Sequence, residues 1–516
     1  MSKNLKNIFI LSIPLLLKYI FLLFFFDFDQ FNFEDSKEDF LFYVCIIFLM
    51  YGSFIKRQFY FDIVSALYLL YLVLETTSYM AVSSNFSSSY MYLLIESNKH
   101  ELSEFVSAYT NLSIILFILF CIVLFFIVRK QRFETKNKYH KTIGILGFIG
   151  VVAFLKFTGL IESNAYYNTV RGAYGYVELQ QTYKVNSQIN KEDVKIITDN
   201  EVLVVVLGES TTRGHMQIYG YNKQTTPLLN SIKDSLFIYN DVISTDVLTL
   251  KSVPKMLTSL DNNNTNYSNS SIVQIFNSAG FKTYWLANQR PISYHDNAIN
   301  KIASSCYQFK FYNFRDDLES NILDEIILSD YMSILSKPGK KAIFIKLIGT
   351  HFDYEKRYPP KFDVFRNNAT QSKKDKTINN YDNAVLYNDF IVFEFIKLLE
   401  KQNSKSALIY LSDHGENVYD NGTDFFGRSE ENLTKNMFEI PFLVWASKDF
   451  NFPNDFEYKP NRKFMADHTY ESIGHFFGIE YKNINASKSI FSSYFKERKR
   501  EVVNGIDFDL FFSENK

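Results

Sequence analysis

Three short segments of this 516-residue sequence carry side chains able to do chemistry together: Glu209-Ser210, Gly349-Thr350-His351 and Ser412-Asp413-His414-Gly415-Glu416. Carboxylates, imidazoles and a hydroxyl are hard and borderline donors, a reasonable set for zinc. A serine or threonine hydroxyl is a weak nucleophile at neutral pH, and a neighbouring metal ion is one way to activate it. On residue type alone Ser210, Thr211, Thr249 and Ser252 are equal candidates for that hydroxyl. Each segment is weak evidence by itself, because an acidic residue after a strand commonly serves a helix N-terminus. The weight lies in finding all of them at comparable places in the chain.

Those places are the ends of short apolar runs. Glu209 follows 202–207, His351 follows 343–348 and Asp413 ends a run that starts at 407. Further runs at 282–287 and 441–446 are separated by helix-length stretches such as 381–399. Strands alternating with helices predict a mainly parallel sheet with helices on both faces. In such sheets ligands gather at the carboxyl edge. The α/β domain is expected over 201–516, after a connector over 162–200 that has no strong apolar period.

The first third reads differently. Lys and Arg total 55 against 56 Asp and Glu, so no overall basic field points to nucleic acid. The long apolar runs fall before residue 162, at 8–26, 40–55, 61–80, 111–128 and 142–161. A bilayer core of roughly 30 Å takes about 20 such residues per helix, which predicts a five-helix transmembrane domain over 1–161. The first run contains Lys18 and lacks a small-x-small cleavage site, so it reads as a span. Basic residues cluster at Lys3 and Lys6, at Lys56 and Arg57, and from Arg129 to Lys141. That alternation puts the N-terminus inside and everything after the fifth span outside. Of the charges within spans, Lys156 suits snorkelling, whereas Lys18 and Glu75 invite a functional reading, Glu75 at an outer helix end facing water. The stretch 87–106 has apolar positions Met91, Leu94, Leu102 and Phe105 suited to a helix lying on the outer leaflet. Cys45 and Cys121 lie in apolar runs and Cys306 stands alone in the later part, so that part holds no disulfide framework.

The run Gly208-Glu209-Ser210-Thr211-Thr212-Arg213-Gly214-His215, with Tyr219-Gly220-Tyr221, Thr225-Thr226-Pro227 and Ser412-Asp413-His414-Gly415-Glu416, resembles the membrane-bound phosphoethanolamine transferases of the alkaline phosphatase and sulfatase superfamily. Lys346-Leu347-Ile348-Gly349-Thr350-His351, Arg357-Tyr358-Pro359 and Tyr381-Asp382-Asn383-Ala384 are most similar to the branch that modifies the lipopolysaccharide core. The resemblance implies zinc held by Glu209, Thr249, Asp413 and His414, with Thr249 as nucleophile and His351 as proton donor to the leaving group. It implies a bacterial inner-membrane, multi-pass protein with a periplasmic catalytic domain. The expected reaction moves phosphoethanolamine from phosphatidylethanolamine to lipopolysaccharide, on core sugar or lipid A, through a phosphothreonine intermediate.

Two departures stand out. The disulfides that brace many lipid A-modifying members are absent, and the histidine those members carry after Asp-His-Gly-Glu is replaced here by Asp424-Phe425-Phe426-Gly427-Arg428. Arg428 is a candidate phosphate clamp in its stead. His468, in Ala466-Asp467-His468-Thr469, is similar to a family position near the domain's last helix and is a second candidate for binding substrate. Among rival functions, a formylglycine sulfatase is disfavoured because Ser252-Val253-Pro254-Lys255-Met256 has Met where Arg is needed. A phosphoglycerol transferase of the lipoteichoic acid synthase kind shares the five spans and the threonine. A catalytically silent lipopolysaccharide-binding regulator would have no reason to keep every ligand.

Overall fold

The computed structural model describes residues 3–25, 33–55, 57–82, 85–86, 88–96, 102–103, 106, 110–134, 137–182, 189–262, 270–289, 298–312, 322–366 and 371–514. The chain folds as two compact units, one built mainly from residues before 179 and the other mainly from those after.

The first unit is helical: α1 (Lys3–Phe25), α2 (Phe33–Gly52), α3 (Gln58–Val82), α4 (Ser88–Glu96), α5 (Leu112–Val128), α6 (His140–Thr158) and α7 (Ala165–Thr182). By length and composition α1, Gln58–Ala81 and α6 are long and apolar enough to cross a membrane, and α5 is apolar but has only 17 residues. Large apolar side chains point outward from α5 and α6, among them Leu112, Val123, Phe126, Leu146 and Phe157. A packed interior facing water would not leave them exposed; lipid would cover them.

Helix α2 departs from the expected span because its first two turns carry Glu34, Asp35, Lys37, Glu38 and Asp39. Three of these turn inward. The Lys18 ammonium donates to both Asp39 oxygens at 2.7 and 2.6 Å, Tyr19 and Tyr71 donate to the same carboxylate at 2.7 Å, and Asn164 donates to Glu38 at 2.7 Å. Lys18 is therefore a buried ion pair. Glu75 is also buried, only 1% exposed, which corrects the expectation that it faces water. It lies close enough to Lys18, Asp39, Glu38 and Asp35 to interact with their charges, so the acidic start of α2 and the end of α3 share one polar interior. Lys156 is exposed, with its ammonium over the Tyr167 ring. Within 87–106 the helix α4 carries Met91 and Leu94, while Phe105 lies outside the described residues.

The second unit is built on seven strands: β1 (Val202–Gly208), β2 (Leu236–Ile238), β3 (Lys282–Ala287), β4 (Gln308–Phe311), β5 (Lys341–Lys346), β6 (Ser406–Ser412) and β7 (Phe442–Ala446). Their order is β2-β7-β6-β1-β5-β3-β4. The run β6-β1-β5-β3-β4 is parallel, but β7 is antiparallel to both β6 and β2, so the sheet is mixed. All seven residues of β1 are buried, as a central parallel strand covered on both faces requires. The short strands β2 and β4 close the two edges.

Register decides what meets at the rim. Leu207 pairs with Lys346 and Gly208 with Ser412, so β1, β5 and β6 end level and release Glu209, the Gly349 turn and Asp413 side by side. Helix α8 (Thr249–Leu257) begins at Thr249, and the long α9 (Lys373–Glu400) begins with a Ser372–Asp375 capping box.

Candidate metal centre

Glu209, Asp413 and His414 are fully buried, and one ligand atom from each lies within 4.8 Å of the others. The Nε2 of His414 is 3.3 Å from Glu209 Oε1 and 3.8 Å from Asp413 Oδ2. Thr249 Oγ1 stands 3.1 Å from each Glu209 oxygen and 3.3 Å from His414 Nε2. It sits on the first residue of α8, where free N–H groups and the helix dipole favour negative charge.

Whether these residues suit a metal turns on the histidine. His414 Nδ1 lies 2.8 Å from the Gly415 carbonyl, which accepts only from an N–H. That bond places a proton on Nδ1, so Nε2, which faces Glu209 and Thr249, is the nitrogen open to a metal. Two carboxylates, an imidazole and a hydroxyl form a fitting donor set for zinc. The backbone enforces the geometry. Gly415 admits no side chain because a Cβ there would lie 2.0 Å from the Asn436 carbonyl oxygen. Gly349 takes φ 53° and a Cβ there would meet the Glu209 backbone at 2.9 Å. Ser210 adopts φ 55°, unusual outside glycine, and its N–H donates to Asp413 Oδ1 at 3.2 Å.

Several partners of the cluster are not evident from motif reading. Lys346 closes β5 and donates to Glu209 Oε2 at 2.9 Å, Asp413 Oδ2 at 3.0 Å and the Gly208 carbonyl at 2.8 Å. Gln289, just beyond β3, donates to Glu209 Oε2 at 2.6 Å. Burial pushes the Glu209 carboxyl up, but Lys346, His414 and Arg428 overcome it and hold the group well below the usual carboxylate range. Burial opposes the charge on Lys346, and Asp413 and Glu209 raise it above the ordinary lysine value. A lysine ending a buried strand run was the visible signal for Lys346. Gln289 had none.

Arg428 joins the cluster, its Nη1 2.6 Å from Ser210 Oγ, 3.5 Å from Glu209 Oε1 and 3.6 Å from Glu416 Oε2. His351 lies near enough to interact with Glu209, Arg428, Arg357 and His414. Burial holds it well below the usual histidine range, so at neutral pH it is a neutral imidazole, and its Nδ1 has no hydrogen-bond partner among the described residues. His468 is held elsewhere: Asp261 is 3.9 Å from its Nε2, and burial pushes it down to about 4. Among the described residues it has no polar contact with the cluster.

The loop carrying Glu209 is pinned from α9. Tyr381 donates to the Ser210 carbonyl at 2.8 Å and accepts from the Thr212 N–H at 2.9 Å. Six residues past Glu209, His215 sits between Asp382 at 2.7 Å and Asp420 at 3.1 Å. Burial opposes its charge, but hydrogen bonds to the two carboxylates outweigh burial and push it up to about 9 from 6.5. Its contribution to stability, on the order of 3 kcal/mol, is fully present below pH 6.5 and lost as pH rises through about 9. Melting temperatures measured between pH 6 and 10 should fall more steeply for the native chain than for His215→Gln. Parallel curves would remove His215 from this role.

The sulfatase family profile matches residues 201–470. Over 472 residues the chain is 29% identical to phosphoethanolamine transferase EptC of Escherichia coli strain K12, covering 83% of this chain and 81% of that protein. It is 28% identical over 469 residues to phosphoethanolamine transferase CptA of Salmonella typhimurium strain LT2, covering 83% and 81%. The crystal structure of the E. coli EptC periplasmic domain in complex with zinc matches with a TM-score of 0.58 at 29% identity, over 61% of this chain and 95% of that one. The integral membrane lipooligosaccharide phosphoethanolamine transferase A of Neisseria meningitidis shares the fold over 94% of this chain and 97% of its own, with a TM-score of 0.71 at 18% identity.

Proposed function

Since the chain belongs to the sulfatase family and is similar over most of its length to phosphoethanolamine transferases, we propose that it transfers phosphoethanolamine from phosphatidylethanolamine to a lipopolysaccharide acceptor, with Thr249 as the nucleophile. The observation that carries this reading is the Thr249 hydroxyl at a helix N-terminus, 3.3 Å from the His414 Nε2 and 3.1 Å from the buried Glu209 carboxylate.

Zinc would be held by Glu209, Asp413, His414 and Thr249. When bound it supplies Lewis acidity that lowers the pKa of the threonine hydroxyl and draws charge from the phosphoryl group. Thr249 Oγ1 gives up its proton to solvent and attacks phosphorus, the bond from phosphorus to the glycerol oxygen breaks, and diacylglycerol leaves after that oxygen takes a proton from His351. An acceptor oxygen on core sugar or lipid A then attacks the phosphothreonine, loses its proton and restores the Thr249 hydroxyl. Arg428 donates to the non-bridging phosphoryl oxygens, as guanidinium geometry allows. His351 starts as a neutral imidazole; a phosphate anion beside it raises its proton affinity, so that it takes a proton from solvent and, as the imidazolium, delivers it to the leaving oxygen. His468, lacking a polar contact with the cluster, is assigned a supporting role in its own loop.

The remaining organisation follows from this reading. Residues 1–161 form a five-span membrane domain with the N-terminus inside, 162–200 a connector and 201–516 a periplasmic catalytic domain of an inner-membrane protein. Donor and acceptor are both lipids, so anchoring the catalytic rim to their bilayer raises their effective concentration.

The test supplies the full-length enzyme with zinc, lipopolysaccharide and either phosphatidylethanolamine or phosphatidylglycerol, and follows diacylglycerol and acceptor mass. Release of diacylglycerol and an acceptor heavier by phosphoethanolamine, with the first lipid alone, is the expected result. Turnover of phosphatidylglycerol instead would replace this reading with phosphoglycerol transfer. Arg428→Ala should lose transfer by roughly two orders of magnitude, as removal of a charged transition-state contact does, while retaining zinc. Unchanged turnover would discard the clamp.

A further inference from the structure

Besides the Arg428 guanidinium, the cluster contains a lysine ammonium placed between its two carboxylates. Lys346 reaches from the end of β5 across the end of β1 to β6, and its ammonium is shared by Glu209 Oε2, Asp413 Oδ2 and the Gly208 carbonyl at 2.8–3.0 Å. All three side chains are essentially inaccessible to water, at 1% exposure or less. We propose that Lys346 is the permanent second cation of this centre: it stands between the two carboxylates where a binuclear site would hold another metal ion, and so limits the chain to a single zinc. The inference rests on the zinc reading of Glu209, Asp413 and His414.

Charge and ligand supply both favour one ion. Arg428 and Glu416 face each other at 3.6 Å and offset one another. What remains is two carboxylates, the ammonium, a dication and the deprotonated Thr249, which together are neutral. A second dication beside Lys346 would leave two uncompensated positive charges in a buried site, an expensive state. It would also have to displace the ammonium from the lone pairs it uses on Glu209 Oε2 and Asp413 Oδ2. The remaining oxygen Glu209 Oε1 and the nitrogen His414 Nε2 lie 3.3 Å apart and face Thr249. Asp413 Oδ1 accepts from the Ser210 and His414 backbone N–H groups, so Oδ2, 3.8 Å from His414 Nε2, is the oxygen a metal would share with the ammonium, and Lys346 positions both carboxylates.

The experiment uses the full-length protein in detergent, stripped by a chelator, titrated with zinc and freed of excess. Metal content is measured by mass spectrometry and metal–metal distances by X-ray absorption. The wild type should saturate at one zinc per chain, with no metal–metal scattering at the roughly 3.5–4 Å typical of two-metal sites. Lys346→Ala vacates the position and should rise to two zinc ions per chain with that scattering path present, a change that adventitious surface zinc does not produce. Two zinc ions and a metal–metal path in the wild type would overturn the proposal, as would a folded Lys346→Ala protein that stays at one. A wild type that takes up no zinc would overturn the zinc reading itself, and the inference with it. Should Lys346→Ala fail to fold, the wild-type stoichiometry and absorption spectrum decide alone.

Discussion

Thr249→Ala is expected to lower transfer by at least about 10^4-fold, equivalent to roughly 5.5 kcal/mol of barrier, because no other hydroxyl can take over its position. Ser210 Oγ is 3.0 Å from Glu209 Oε1, but it is also bonded to Arg428 at 2.6 Å and lies on a residue whose φ of 55° fixes its direction. Ser252 Oγ approaches the Thr249 carbonyl rather than the metal ligands. Thr211 Oγ1 is occupied by the Glu209 carbonyl and Thr350. Intact mass after incubation with phosphatidylethanolamine and zinc should show a phosphoethanolamine adduct on the wild type and none on the variant. Because Glu209, Asp413 and His414 are untouched, the variant should still bind zinc, which separates loss of the nucleophile from loss of the metal. An adduct on Thr249→Ala, or transfer at a tenth of the wild-type rate, would assign the nucleophile elsewhere.

Stripping zinc should abolish transfer and also soften the catalytic unit. Without a metal, Glu209 and Asp413 are two buried carboxylates sharing one lysine, and a buried charge without full compensation is costly. A ligand present at a thousand times its dissociation constant stabilises the native state by about 4 kcal/mol. Chelation should therefore lower the melting temperature by several degrees and zinc should restore it. His414→Ala removes the nitrogen ligand and should show the low melting temperature and no transfer even with zinc added. Transfer persisting in protein shown by elemental analysis to be metal-free would defeat the metal-dependent mechanism altogether.

Much of this centre was legible before any coordinates. The apolar runs ahead of Glu209, His351 and Asp413 are strands because β-branched and aromatic residues in short runs bounded by polar turns have few other ways to be buried. Their alternation with helices implied parallel order, and parallel order brings strand ends to one edge. The exception was β7, which runs antiparallel; an apolar run has the same composition in either direction, so its orientation is decided by the connection and not by the residues.

The choice of nucleophile illustrates the limit. By residue type Ser210, Thr211, Thr249 and Ser252 were equivalent, and the family resemblance alone singled out Thr249. In the folded chain the Thr249 hydroxyl lies within 3.3 Å of both Glu209 and His414, a placement residue type does not foretell. Lys18 and Glu75 make the same point in the helical unit. Read along the chain they are charges in apolar helices, and only packing against the acidic start of α2 shows that they are buried together.

What the sequence determined by itself is therefore local and periodic: which segments are apolar enough for lipid, which are strands, and which residue types stand at strand ends. Tertiary structure alone decided the sheet register, the pairing of Lys18 with Asp39, the bond from His414 Nδ1 to Gly415 and the reach of Lys346 across two strands. The physical reason is that burial preference and hydrogen-bonding capacity belong to a residue wherever it lies, whereas a charge's partner is set by distances of about 3 Å between atoms far apart in the chain.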